Sequence, residues 1–241
     1  MNAKAILIVL SAALAGCGGS SSDVPANSAA GLFERNGSAA PADEVLVLDS
    51  GRSYVVYGMN AATPVPAQGV IVLDIATTGG NFASSNVHDF DLPSRTLSMG
   101  SASGSFTAQA SIAGTVTHTG GATSTFAGAY STTYEQSASL SALAGSYGGE
   151  TADLGVTQAA IVTLDPSGAL AGSMSGGCSY VGLVSPHGAG NVFDVTATFR
   201  TGCTEDGRTF RGHAFVSRNV LYLVTLSGDL SRIVFFAGLK S

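Results

Sequence analysis

Charge is scarce in this chain. Lysine and arginine together number 10 and aspartate and glutamate 16 in 241 residues, for a formal net charge of −6. The arginines are scattered, apart from Arg208 and Arg211. A nucleic-acid backbone is held by clustered cations, so no nucleic-acid partner is expected. Tryptophan is absent. Helix signals are nearly absent after the first residues, and Ser139-Leu140-Ser141-Ala142-Leu143-Ala144 reads as one helical turn and no more. Catalytic signatures are missing as well. There is no G-x-S-x-G, H-E-x-x-H, Walker A or G-x-G-x-x-G pattern. Gly172-Ser173-Met174-Ser175-Gly176 has the outline of a nucleophile elbow, but Met occupies its centre. Four histidines are present, none at ligand spacing from a cysteine, so neither a metal site nor a cofactor is expected. Beyond the leader no run is apolar and long enough to cross a bilayer as a helix.

What is present begins with MNAKAILIVLSAALAGCGGSSS. Lys4 precedes an apolar run from Ala5 to Leu14, about ten residues, which suits a signal-peptide core and is too short to span a membrane. Leu14-Ala15-Gly16-Cys17 resembles the lipobox of bacterial lipoproteins. The resemblance implies cleavage after Gly16, a diacylglyceryl thioether on Cys17 and acylation of the new amino terminus, since several acyl chains hold a protein where one does so only marginally. Gly18 in the next position implies an outer-membrane destination. Residues 1–16 are thus expected to be a signal peptide. Residues 17–42, rich in Gly, Ser, Ala, Asn and Pro, are expected to be the lipidated cysteine and a flexible tether. Once Cys17 is used by lipid, Cys178 and Cys203 remain as an even pair in an oxidising compartment. A structural disulfide is expected between them, closing a loop of about 25 residues and stabilising the fold by roughly 3–4 kcal/mol. A redox-active pair is the rival, although such pairs are usually Cys-x-x-Cys.

The rest reads as all-β: glycine-marked turns, small residues and β-branched runs. Within 137–241, strands are expected at Gly145–Gly149, Ala159–Leu164, Ala169–Ser175, Cys178–Val184, Val192–Arg200, Thr209–Ser217, Val220–Ser227 and Arg232–Leu239. Asp165-Pro166-Ser167-Gly168 is a turn. Val192–Arg200 alternates strictly, with Phe193, Val195, Ala197 and Phe199 on one face. About eight short antiparallel strands with short connections predict a small up-and-down barrel, whose closure removes exposed edges. Residues 43–136 read as a β-rich N-terminal half. Its candidates are Val45–Leu48, Ser53–Tyr57, Val70–Ile75, one long strand Phe106–His118, a Gly120-Gly121 turn and Thr123–Tyr130 returning. Gln68-Gly69-Val70-Ile71-Val72 and Gln158-Ala159-Ala160-Ile161-Val162 share a pattern that raises the prospect of two related β units.

The segments Gly145-Ser146-Tyr147-Gly148-Gly149, Asp165-Pro166-Ser167-Gly168, Gly177-Cys178, Gly202-Cys203, Arg211-Gly212-His213-Ala214 and Phe235-Phe236-Ala237-Gly238-Leu239-Lys240 resemble the eight-stranded barrels of proteobacterial surface lipoproteins, such as transferrin-binding protein B and factor-H-binding protein. The resemblance implies a tethered β-rich half followed by a barrel, and it implies a fold more than a function.

Candidate chemistry is thin. Asp89 and Asp91 of His88-Asp89-Phe90-Asp91 share one face if extended and could flank a cation, with a solvated strand end as the plainer reading. Glu205-Asp206-Gly207 reads as turn chemistry, His187 as an exposed loop residue, His118 as the end of a hairpin strand, and His213 as outward with Arg211 and Phe215. Tyr130, Tyr147, Tyr180 and Tyr222 could line a binding surface or simply pack a barrel. The expectation is a non-enzymatic lipoprotein of the outer membrane, anchored by lipid. It would act as a binding or structural β module toward an envelope or host protein or a glycan. The alternative is a lipocalin-like carrier of a small apolar ligand, and an envelope hydrolase ranks last. A cavity of roughly 300 Å³ or more would favour ligand carriage over a filled core.

Overall fold

The computed structural model describes residues 28–35, 42–59 and 67–241. Cys17 and the leader lie outside these residues. The fold is all-β and is built from two eight-stranded antiparallel barrels.

The second barrel follows the sequence pattern closely. Its strands are β10 (Gly145–Ala152), β11 (Thr157–Leu164), β12 (Ala169–Met174), β13 (Ser179–Pro186), β14 (Val192–Phe199), β15 (Thr209–Ser217), β16 (Val220–Leu226) and β17 (Ile233–Lys240). Each pairs with the next, and β17 closes on β10. The Asp165 carboxylate accepts from the backbone N–H groups of Ser167 and Ala169, fixing the β11–β12 turn, as an Asx turn does. Inside, Tyr147, Tyr180, Phe193, Phe199, Phe210 and Phe236 pack with valines and leucines. Gly172 makes room for them, because a Cβ there would overlap the Tyr180 ring. Cys178 and Cys203 form a disulfide, with a Cα–Cα distance of 4.5 Å.

The N-terminal half is more regular than its sequence suggests. It contains β1 (Gly31–Glu34), β2 (Ala42–Val47), β3 (Arg52–Met59), β4 (Gly69–Asp74), β5 (Ala76–Thr78), β6 (Asn81–Asp91), β7 (Thr96–Thr107), β8 (Ser111–His118) and β9 (Thr123–Tyr130). The order β4-β3-β2-β1-β9-β8-β7-β6 is closed by β4 pairing with β6, and β5 is a short extension beside β6. Phe33, Val45, Val55, Ile71, Phe82, Phe106, Ile112 and Phe126 fill most of its interior.

Three expectations need correction. Residues 17–42 were expected to be tether, yet β1 falls among them and Phe33 is fully buried. A single strand from Phe106 to His118 is in fact two. A three-residue turn at 108–110, with Gln109 at φ 52°, folds β8 back on β7. Phe106 pairs directly with Ile112, so both face the interior, and a hairpin of this register keeps the same odd–even alternation as a straight strand. The two segments matched as a repeat lie in the fourth strand of one barrel and the second of the other, so they are not equivalent even though the two architectures agree.

The barrels share a core. Outward residues Leu32, Leu46, Tyr54, Val56, Val70, Val72 and Phe90 of the first pack in one cluster with outward residues Phe215, Tyr222, Val224, Ile233 and Phe235 of the second. β16 is buried at every position. The eight strands of the second barrel are complete within 145–240, but one outer wall is covered by the first barrel rather than by water. The short 3₁₀ turn Thr132–Glu135 links the two and carries buried Tyr134, whose carbonyl accepts from the Asn191 N–H of the second barrel.

β14 and β17 therefore make opposite predictions. On β14 the inward Phe199 is buried and the outward Thr198 is partly exposed. Phe199→Ala should cost about 3–5 kcal/mol and Thr198→Ala within about 0.5 kcal/mol. On β17 the neighbours Phe235 and Phe236 point to opposite faces and are both buried, so each Ala variant should cost about 3–5 kcal/mol. Denaturant titrations of the four variants would show it. A cheap Phe235→Ala would contradict the shared core.

Candidate functional site

The first barrel is not filled to its end. A cavity of about 350 Å³ is lined by Val55, Ile71 and Phe126 on its apolar side and by Tyr57, Gln68, Asp89, His118, Ser124 and Thr125 on its polar side, with Arg35 beside it. Strand geometry explains the gathering. Tyr57 follows inward Val55 by two residues on β3, and Asp89 is the register partner of inward Ile71. His118 follows inward Val116 on β8 in the same way. The period of two keeps all three inside. Gly69 permits the arrangement, since any Cβ there would overlap the Tyr57 hydroxyl.

The Tyr57 hydroxyl donates to Asp89 Oδ1 at 2.8 Å, and His118 Nε2 lies 3.6 Å from Asp89 Oδ2. His118 Nδ1 is buried and has no hydrogen-bond partner. A buried polar atom left unpaired costs about 1–3 kcal/mol, and a ligand hydroxyl or amine reaching it would remove that cost. Burial pushes the Asp89 carboxyl above its ordinary value, against the Tyr57 hydrogen bond and the nearby His118, which pull it down. Burial, and then the Asp89 charge, push Tyr57 up, so it remains a neutral donor. Ser124 lines the same cavity, but His118 Nδ1 bonds to nothing, so no nucleophile–base pair is assembled here.

The other sequence candidates separate. Asp91 does not join Asp89: it accepts from the Ser94 N–H at the start of the β6–β7 turn. Glu205 stands in the expected turn but is buried, pairing with Arg232 and, at 3.2 Å, with Arg208. Tyr147 and Tyr180 pack inside the second barrel and Tyr222 in the seam, while Tyr130 meets Phe33 edge-on at 5.6 Å. His213 points outward as expected, but that face is the seam. His187 is a loop residue whose side chain is only 17% exposed, contrary to expectation, because Asp49 and Asp194 enclose it. Tyr57 and Gln68 were not singled out from sequence. Their only signal is position, at the end of β3 and the start of β4.

No known protein family and no curated protein matches the chain in sequence.

The raised Asp89 value has a consequence for stability. The folded state holds this proton more tightly than the unfolded chain, so the contribution is fully present below the ordinary carboxylate value, about 4, and is lost as pH rises through the folded value. Above that range Asp89 therefore contributes less to folding than a carboxyl at its ordinary value would. Asp89→Asn keeps an acceptor for Tyr57 and should raise the thermal midpoint at neutral pH, with the gain vanishing below about pH 4. A lower midpoint at neutral pH would mean that the contacts of Asp89 with Tyr57 and His118 outweigh its burial.

Proposed function

We propose that this protein is a lipid-anchored module of the bacterial outer membrane that binds a small hydroxyl-rich ligand of the glycan class, without catalysis, in the mouth of its first barrel. The observation that carries this reading is the cavity itself. It pairs the Phe126 ring and an apolar floor with a buried carboxylate, a neutral tyrosine hydroxyl and an unpartnered imidazole nitrogen. Sugars present an apolar face and a ring of hydroxyls, so a site of a few placed polar groups over apolar and aromatic side chains suits them. Lipocalin-like carriage of an apolar ligand is less well supported. The second barrel is packed with aromatic rings, and burying Asp89 and His118 against a hydrocarbon would leave them unsatisfied. The anchor rests on Leu14-Ala15-Gly16-Cys17 alone.

Two experiments test the two halves of the proposal. Cys17→Ser should release the protein from the outer-membrane fraction. If it stays there with the same detergent sensitivity, the anchor is wrong. For binding, the full-length wild-type protein in detergent is titrated with mono- and disaccharides found in bacterial envelopes, read by calorimetry. A binding sugar is then titrated against Tyr57→Phe and Asp89→Asn, which should each weaken it by about 1 kcal/mol or more, the usual worth of a hydrogen bond to a ligand. Undiminished affinity in both variants would remove the barrel mouth as the site, and silence across the panel would remove the glycan reading.

A further inference from the structure

A second cluster stands outside that cavity, on the seam between the barrels. Asp194 of β14 and His213 of β15 are direct partners in the strand ladder. His187 lies in the loop that leads into β14, its N–H bonded to the Val192 carbonyl. Asp194 Oδ1 is 2.6 Å from His187 Nδ1 and 3.4 Å from His213 Nε2, and the three ligand atoms lie within 4.8 Å of one another. The imidazole rings stand edge to face, 5.1 Å apart.

The far side of each ring is also occupied. His187 Nε2 is 3.2 Å from Asp49 Oδ1, and His213 Nδ1 is 2.7 Å from the Tyr54 hydroxyl. Both of these partners come from the first barrel. A metal-bound histidine characteristically has its second ring nitrogen held by a carboxylate or another oxygen, which fixes the ring and the tautomer. Here both histidines have that support, and the two remaining nitrogens converge on one carboxylate oxygen.

From this geometry we propose that His187, Asp194 and His213 bind a divalent transition-metal ion of the zinc class, with Asp49 and Tyr54 orienting the two imidazoles from across the seam. Two imidazoles and a carboxylate are the donor set of zinc sites that leave a fourth position to water. Ligand atoms around tetrahedral zinc lie about 3.3 Å apart for bonds of about 2.0 Å. The Asp194–His213 spacing already has that value. The Asp194–His187 contact is a hydrogen bond whose proton the ion would replace, opening the pair by about 0.7 Å toward the same spacing. The Asp194 side chain is half exposed, which gives the ion a path from solvent and the fourth position to water. Because the ligands belong to one barrel and the groups that aim them belong to the other, binding and docking are linked: the ion binds best when the barrels are seated, and it holds them seated.

The test uses the full-length protein in detergent, stripped with a chelator and titrated with Zn²⁺ by calorimetry, with thermal midpoints recorded in parallel. One equivalent should bind and the midpoint should rise. His187→Ala and His213→Ala should each abolish both effects, and His88→Ala, which removes a histidine that is not one of the ligands, should keep both. Asp49→Asn leaves all three ligands in place and should weaken Zn²⁺ about 10–100-fold, as loss of an orienting carboxylate does. Circular dichroism of each stripped variant separates unfolding from lost binding. Absence of binding to the folded wild-type protein, or stoichiometric binding retained in both histidine variants, would overturn the proposal. Unchanged affinity in Asp49→Asn would overturn the orienting role assigned across the seam.

Discussion

The rest of the structure depends on one buried seam, where the outer walls of two barrels lie against each other. Either barrel alone would bury its interior and leave its outside wet. In this chain β1–β4 and β15–β17 also carry apolar side chains on their outward faces, among them Leu32, Leu46, Tyr54, Val72, Phe215 and Phe235, and these form one cluster. Apolar burial has no direction of its own, so something else must set how the barrels sit. Two polar clamps flank the apolar patch. Ser217 lies 2.8 Å from Glu34 and 3.0 Å from Glu44, and Arg218 lies 3.5 Å from each carboxylate. Four residues back on β15, beyond Phe215, His213 meets Tyr54. Arg218 and Asn219 both have positive φ, the signature of a tight type I′ hairpin, and this turn delivers the guanidinium to Glu44, which is almost fully buried. Removing one partner from such a pair strands a charge, which makes the clamp specific even where its net energy is small.

The two interiors divide the work. The second barrel is filled by rings and is braced by its disulfide. The first has the same strand plan, but glycines and alanines line much of its wall. Gly104 and Gly114 sit against the Phe82 and Phe126 rings where no Cβ would fit. Its aromatic packing stops short of one end, and there the lining turns polar with Tyr57, Asp89 and His118. A rigid filled barrel docked along a partly open one is a reasonable way to hold a binding mouth still, because Tyr57 and Asp89 stand beside Val56 and Phe90, whose side chains are packed in the seam.

The second barrel was legible in sequence nearly strand by strand, because its turns carry Asp-Pro-Ser-Gly and Gly signals and its strands alternate. In the first, β6 and β7 carry many Asn, Ser, Gly and Ala residues, which have little strand preference, and they are held as strands by pairing with each other and with β4 and β8. The seam did leave a trace. Val45–Leu48, Val70–Leu73, Val220–Leu226 and Ile233–Ala237 are apolar at nearly every position, whereas β8, β11 and β14 alternate. Alternation means one wet face, and a continuous run means none. Those runs marked the wall where the barrels meet. The sites left no such trace. Tyr57, Asp89 and His118 are far apart along the chain, and His187 and Asp194, though only seven residues apart, meet His213 only through the strand ladder; such register a single sequence does not reveal.

The scarcity of charge acquires a location. No Asp, Glu, Lys or Arg occurs in β7, β8 or β9. The outer wall of the first barrel there is carried into water by serine and threonine hydroxyls and small methyls, with Ser101, Ser103, Ser105, Thr115 and Thr117 all exposed. Some of the charges stand where two surfaces must be held in register: Glu34, Glu44, Asp49, Asp194 and Arg218 at the seam, and Asp89 in the mouth. Exposed charges are screened within about 8–10 Å by physiological salt, but partly buried pairs are screened much less. The pairings of buried Glu44 and Asp89 therefore keep their electrostatic specificity as the salt concentration changes.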